Sequence, residues 1–339
     1  MNLQELERIA RKIVADHRGI LAADESTSTI EKRFKSIGVE NSEEHRRTYR
    51  EMLFTAPGAE KFISGVIMYD ETIRQKTKSG VPFPELQTKL DIVPGIKVDK
   101  GAKDLAGSPQ EKITEGLDGL RERLQEYHKL GARFAKWRAV IDIGTGIPTA
   151  YCIRVNAQAL ARYAALCQEQ GLVPIVEPEV LMDGAHDIAR CAEVTADTLE
   201  TVFAELHAQH VALEGMLLKP NMVISGLKCP KQASVEEVAR ETVKLLKRHV
   251  PAAVPGIVFL SGGQSDVAAT AHLNAMNALG AMPWKLSFSY GRALQHAALE
   301  AWRGQEANLT AGQKAFHHRA KCNSAACAAS YSALVEKAA

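Results

Sequence analysis

Eight short apolar or β-branched runs, at residues 19–24, 62–70, 92–99, 134–143, 173–180, 213–220, 256–262 and 285–290, punctuate this chain, and longer stretches of helical periodicity separate most of them. Eight strand-then-helix units in about 300 residues predict a (β/α)8 barrel, with a doubly wound parallel sheet as the structural rival. The 339 residues, 46% of them hydrophobic and 24% charged, are enough to bury one large core. No linker, low-complexity tract or internal repeat divides them, so a single domain over residues 1–339 is expected, with the barrel at about 19–305. The opening stretch from Leu3 to Ala10 is charged and amphipathic, which reads as an extra helix before the barrel and not as a signal peptide. From Asn308 onward the chain is Ala-rich, and a helix and tail over about 306–339 are expected there. Ser108-Pro109-Gln110-Glu111 and Ser234-Val235-Glu236-Glu237 both have the capping-box pattern and predict helix starts.

Composition excludes several functions. A formal net charge of +2, without Lys/Arg blocks interleaved with aromatics, argues against nucleic-acid binding. No run approaches the roughly 18 apolar residues of a membrane helix. The six cysteines follow neither disulfide nor zinc spacing, which fits free thiols in a reducing cytoplasm; Cys322 and Cys327 read as helix residues rather than ligands. His207 and His210, like His317 and His318, read as solvated helix faces, so no metal site is expected. Gly144-Thr145-Gly146-Ile147-Pro148 resembles a dinucleotide loop only loosely and reads as a βα turn.

Lysine at the end of one run is the most informative residue. Lys219 closes Gly215-Met216-Leu217-Leu218 and precedes Pro220-Asn221. An amine at the end of an apolar strand is partly stripped of water, and desolvation disfavours the ammonium form, so such an amine can attack a carbonyl. Side chains at i and i+2 share a strand face, which in a barrel can be the interior. Lys136 and Arg138 share one, as do Glu177 and Glu179, and Lys97 and Asp99; Asp24 ends the first run. Four cations and four anions at strand ends persist only if they pair or meet a charged ligand, since a lone buried charge costs several kcal/mol. For phosphate, Ser261-Gly262-Gly263-Gln264-Ser265 follows the seventh run and Ser289-Tyr290-Gly291-Arg292 closes the eighth. Exposed backbone N–H groups and a guanidinium there suit an anion, and in many barrels these two loops form the phosphate site.

Seven segments in order, Gly19 to Thr27, Gly95 to Gly101, Phe134 to Arg138, Val173 to Glu179, Leu217 to Met222, Phe259 to Ser265 and Phe288 to Leu294, resemble class I fructose-1,6-bisphosphate aldolase. The resemblance runs in register from about residue 3 to residue 327. It implies a metal-independent, cofactor-free lyase of glycolysis and gluconeogenesis. Such an enzyme reversibly cleaves fructose 1,6-bisphosphate to dihydroxyacetone phosphate and glyceraldehyde 3-phosphate, and a cytoplasmic homotetramer is implied. By the same resemblance, Lys219 forms the imine and Glu177 is the general acid/base. Asp24 assists deprotonation of the C4 hydroxyl, Glu179 and Lys136 tune proton transfer, and Arg138 binds substrate. Ser261, Gly262, Gly291 and Arg292 bind the C1 phosphate; Ser26, Thr29 and Lys97 bind the C6 phosphate, with Arg33 as accessory. Thr29 stands where the family commonly has serine, which keeps the hydroxyl. Family members commonly end in a tyrosine that assists proton exchange at C3, whereas this sequence ends at Ala339 and its last tyrosine, Tyr331, aligns with one before the mobile tail. The expectation is that Tyr331 is a packed helix-end aromatic and that C3 protonation uses another group or water. A transaldolase-like barrel shares the lysine logic but needs no second phosphate site, and a non-catalytic scaffold predicts the loss of a catalytic side chain.

Overall fold

A computed structural model describes residues 2–338. Eight parallel strands close into a barrel: β1 (Gly19–Ala23), β2 (Ile63–Met68), β3 (Val93–Lys97), β6 (Phe134–Ile141), β7 (Val173–Val180), β8 (Leu217–Leu218), β9 (Gly256–Phe259) and β10 (Lys285–Tyr290), with β10 pairing back onto β1. Each falls within one of the eight runs read from the sequence. Between β3 and β6, the strands β4 (Ala102–Leu105) and β5 (Ser108–Thr114) form a separate antiparallel hairpin.

That hairpin corrects the helix expected at Ser108. Glu111 does not return to cap its own segment. Its carboxylate accepts from the Thr149 N–H and hydroxyl, both at 2.7 Å, and from Ser108 Oγ at 2.8 Å, while Thr149 caps the helix Ala150–Glu169. A buried anion at another helix's N-terminus outweighs a local capping pattern. The second pattern holds: Ser234 Oγ accepts from the Glu237 N–H at 3.2 Å and opens the helix Val235–His249. Gly144 to Pro148 is the turn between β6 and the Ala150–Glu169 helix, as expected.

The expected helix before the barrel is Leu3–Ile13, opened by the Asn2 side chain and burying Leu6, Ile9, Ala10 and Ile13 at helical spacing. These pack on Ile20, Ile67, Val93, Phe134, Val173, Ile175, Leu217 and Val258, closing the barrel's amino-terminal end with hydrocarbon. A Cβ on Gly95 would lie 2.2 Å from the Phe134 ring, so that ring needs a bare backbone beside it. Strand parity then runs upward: Phe134, Lys136 and Arg138 share the inner face of β6, and Val173, Ile175, Glu177 and Glu179 that of β7, with Arg138 level with Glu177. The alternate residues Ala135, Trp137 and Ala139 belong instead to the larger core beneath the surrounding helices. The barrel interior is therefore apolar at its base and charged at its mouth.

At the other end of the chain, Leu309–Cys327 is one long helix, with Cys322 and Cys327 in it as expected, followed by the short helix Ala333–Lys337. No helix among the described residues is long and apolar enough to cross a membrane.

Candidate active site

Lys219 owes its position to the two residues after it. Pro220 has no N–H and β8 stops at two residues, much shorter than the 213–220 run. The Asn221 side chain takes over: its carbonyl accepts from the Val180 N–H at 3.0 Å, and its amide donates to Thr195 Oγ1 at 3.2 Å. The Lys219 N–H still donates to Val176 O at 2.8 Å, which ties it to the strand bearing Glu177.

All eight charges read from strand parity pair at the carboxyl ends of the strands. Lys219 Nζ lies 3.2 Å from Glu177 Oε1. Lys136 Nζ lies 2.8 Å from Asp24 Oδ2, 3.4 Å from Glu177 Oε2 and 4.0 Å from Asp99 Oδ2. Lys97 meets Asp99 at 3.3 Å, and the Arg138 guanidinium is bonded to Glu179. Lys136, Glu177, Glu179 and Lys219 are each 5% exposed or less, so their charges face one another rather than water.

Electrostatics follow from that geometry. Burial alone would raise the Asp24 carboxyl, but Lys136, Lys219 and Lys97 outweigh it and hold the group well below its ordinary range. Glu177 behaves likewise: burial opposes ionisation, and Lys219, Lys136 and Arg138 overcome it. Burial would lower Lys136, yet Asp24, Glu177 and Asp99 together raise it. The resting site thus holds ionised Asp24 and Glu177 around a firmly protonated Lys136.

Around this cluster opens a cavity of about 770 Å³ that is also lined by Ser26, Thr29, Arg33, Ser261, Gly262, Gly291 and Arg292. Every site residue expected from the sequence is at this one mouth. Gly262 takes a left-handed φ of +56°, and a Cβ there would sit 2.2 Å from Met182 Cε. Gln264 secures the loop by donating to Ser261 O at 3.2 Å, and His272 Nδ1 is 2.6 Å from the Gln264 carbonyl. The Arg292 guanidinium donates to Gly262 O, joining the two Gly-rich loops. Across the mouth, Ser26 Oγ and Thr29 Oγ1 lie 3.1 Å apart at the first turn of the helix Thr27–Ser36.

Arg33 is less simply placed than the sequence implied. Its guanidinium is bonded to Glu25 and also lies 3.7 Å from the position a Gly291 Cβ would occupy, beside the opposite Gly-rich loop. Sequence reasoning missed this Glu25 support. Glu25 is buried, pairs with Arg50 at 2.7 Å and accepts from Gln295 Nε2 at 2.8 Å; the same Gln295 amide donates to Ala22 O at 2.7 Å. Arg50 and Gln295 sit inside helices distant in sequence, where a lone polar residue carries no local signal. Ser289, whose Oγ is buried, without a partner and on the cavity wall, opens the Ser289-Tyr290-Gly291-Arg292 segment read from the sequence, where only Gly291 and Arg292 were expected to act. Tyr331 is packed beyond the end of the long C-terminal helix, its hydroxyl on Glu336 at 2.7 Å, and it does not line the mouth.

Comparison with known proteins agrees with this arrangement. The family described as "Glycolytic: Fructose-bisphosphate aldolase class-I" matches residues 5–339. The chain belongs to the class I fructose-bisphosphate aldolase family. It is 61% identical over 324 residues to a probable fructose-bisphosphate aldolase class 1 of Xanthomonas axonopodis pv. citri, covering 95% of this chain and 97% of that one. Fructose-bisphosphate aldolase of Dictyostelium discoideum is 54% identical, over 95% and 91% of the two chains. A solved structure of fructose-bisphosphate aldolase from Plasmodium falciparum, in complex with TRAP and a small molecule inhibitor, superposes with a TM-score of 0.96 at 51% identity, covering 97% of this chain and 96% of that one. This aldolase is thus a lyase of the metal-independent, Schiff-base class, and its fold is the aldolase barrel.

Proposed function

We propose that this aldolase cleaves fructose 1,6-bisphosphate reversibly to dihydroxyacetone phosphate and glyceraldehyde 3-phosphate, with Lys219 as the nucleophile. The 3.2 Å approach of Lys219 Nζ to Glu177 Oε1, inside a cavity that also holds both sets of phosphate-binding residues, carries this reading. Glu177, ionised at rest, passes two protons in turn from the Lys219 nitrogen to the C2 oxygen: the first as the nitrogen adds to the carbonyl and the carbinolamine forms, the second to its hydroxyl, which leaves as water. The resulting iminium accepts the electron pair of the C3–C4 bond and becomes an enamine. Asp24 takes the C4 hydroxyl proton as that bond breaks. Lys136, between Asp24 and Glu177, keeps both carboxylates ionised and in place; Glu179 holds Arg138 at the substrate. Ser261, Gly262, Gly291 and Arg292 take the C1 phosphate, and Ser26, Thr29 and Lys97 the C6 phosphate, with Arg33 between the two loops. The whole chain acts as one domain, in the cytoplasm, and assembles as a homotetramer, which sedimentation tests directly.

Borohydride reduction with dihydroxyacetone phosphate, followed by peptide mass mapping, tests the mechanism. The expected result is a substrate-dependent adduct on Lys219 that disappears in Lys219→Ala. An adduct on another lysine, or none, would overturn the assignment.

A further inference from the structure

Away from the barrel mouth, three metal-ligating side chains converge near the C-terminal end. His318 and Cys322 stand four residues apart on one face of the Leu309–Cys327 helix, with Nε2 and Sγ separated by 3.5 Å. Glu336, in the short helix Ala333–Lys337, completes the group: one ligand atom from each residue lies within 4.8 Å of the others. Tetrahedral zinc bound to one sulfur and one imidazole nitrogen sets those two atoms about 3.6 Å apart. His318 is accordingly not the solvated helix face expected from the sequence; it is half-buried and turned toward a buried cysteine.

The third ligand is already oriented. Arg319 Nη1 donates to Glu336 Oε1 at 2.6 Å and Oε2 at 2.7 Å, and the Tyr331 hydroxyl donates to Oε2 at 2.7 Å. A carboxylate offers about four lone-pair sites, so one remains after these three bonds. Outer hydrogen bonds of this kind accompany ligating carboxylates in metal sites. Beside His318 lies a cavity of about 370 Å³, lined also by Gln313, Lys314, His317 and Lys321.

We propose that His318 Nε2, Cys322 Sγ and a Glu336 carboxylate oxygen form a zinc site, with water as the fourth ligand, that fastens the Ala333–Lys337 helix to the Leu309–Cys327 helix. A thiolate with an imidazole and a carboxylate favours zinc over magnesium or calcium. Burial pushes the Cys322 thiol up to about 11, so binding must form the Zn–S bond while the S–H proton leaves to solvent. None of the three ligands lines the cavity around Lys219, so the metal is structural and the cleavage reaction does not use it.

The test titrates zinc into the full-length, reduced, metal-stripped protein against a chromophoric chelator and records the cobalt(II) spectrum. One zinc per chain and a thiolate-to-cobalt charge-transfer band are expected, with a zinc-dependent rise in Tm. Cys322→Ser should abolish the band and the Tm rise, and Glu336→Gln should weaken zinc about tenfold or more. Cys229→Ser, which removes the one cysteine of intermediate exposure, should change neither, and cleavage activity should be equal in all variants. Equal zinc affinity with and without the Cys322 thiol, or cobalt bound without a thiolate band, would overturn the proposal. If Cys322→Ser does not fold, undiminished zinc affinity in Glu336→Gln overturns it instead.

Discussion

Lys136 holds two carboxylates below their ordinary values of 3.8 for Asp24 and 4.5 for Glu177, and that has a sign for stability. Below those values the unfolded chain takes up protons that the folded site refuses, so stability is fully present above them and lost as the pH falls. Denaturant unfolding should therefore be flat from neutral pH to about pH 5 and weaken on further acidification. Lys136→Met removes one of the two lysines that hold both Asp24 and Glu177 ionised, Lys219 being the other, and should cost about 3–5 kcal/mol at neutral pH. It should also flatten the acid slope; a slope equal to that of the natural protein would show that the two carboxylates are held by something else. Gly262→Ala acts by a different route. A left-handed φ costs a residue with a Cβ about 1–2 kcal/mol, and the new Cβ meets Met182, so the loop must shift. KM for fructose 1,6-bisphosphate should rise about tenfold, while the Lys219 borohydride adduct still forms at saturating dihydroxyacetone phosphate. Unchanged KM would remove Gly262 from the phosphate site.

At the scale of elements, two similar sequence patterns have opposite fates. Ser234 caps its own helix at an exposed position, and Ser234→Ala should cost about 1 kcal/mol with kcat unchanged. Glu111 serves a helix nearly forty residues away and lies buried between that helix and the β4–β5 hairpin. Glu111→Gln keeps the shape and loses the charge, so both the Thr149 cap and the hairpin loosen. The expected loss is about 1–2 kcal/mol in thermal unfolding, with faster limited proteolysis within residues 102–114. A hairpin as resistant as before would mean that Glu111 does not fasten it. The capping-box pattern was present at both places; only the packing of the hairpin against the Ala150–Glu169 helix decided which residue the carboxylate would serve.

Across the whole molecule, the apolar base and the charged mouth depend on each other. The Leu3–Ile13 helix seals the base, so the charged layer above it is open to solvent at one end only. Leu6 is 1% exposed, and Leu6→Ala should open a cavity there and cost about 2–5 kcal/mol. Because Leu6 lies at the opposite end of the barrel from Lys219, kcat/KM measured well below the lowered Tm should not change. A matching loss of activity would show that the base and the mouth are coupled.

Much of this was legible in the sequence because it is periodic. Eight apolar runs specified eight strands, and their i, i+2 parity put Lys97, Lys136, Arg138, Glu177, Glu179 and Lys219 on inner faces, since alternation in a strand is a local property. The two Gly-rich loops declared themselves by backbone freedom at the ends of strands. What parity could not supply was partnership. That Lys136 reaches both Asp24 and Glu177, that Glu25 rests on Arg50 and Gln295, that Arg33 turns toward Gly291, and that His318 and Cys322 meet Glu336 all depend on barrel closure and helix docking, which bring together residues far apart in the chain. The chain determined which side chains carry charge and which way they point. The tertiary structure decided which of them touch, because buried charges choose partners by distance and sequence spacing does not measure distance across a barrel.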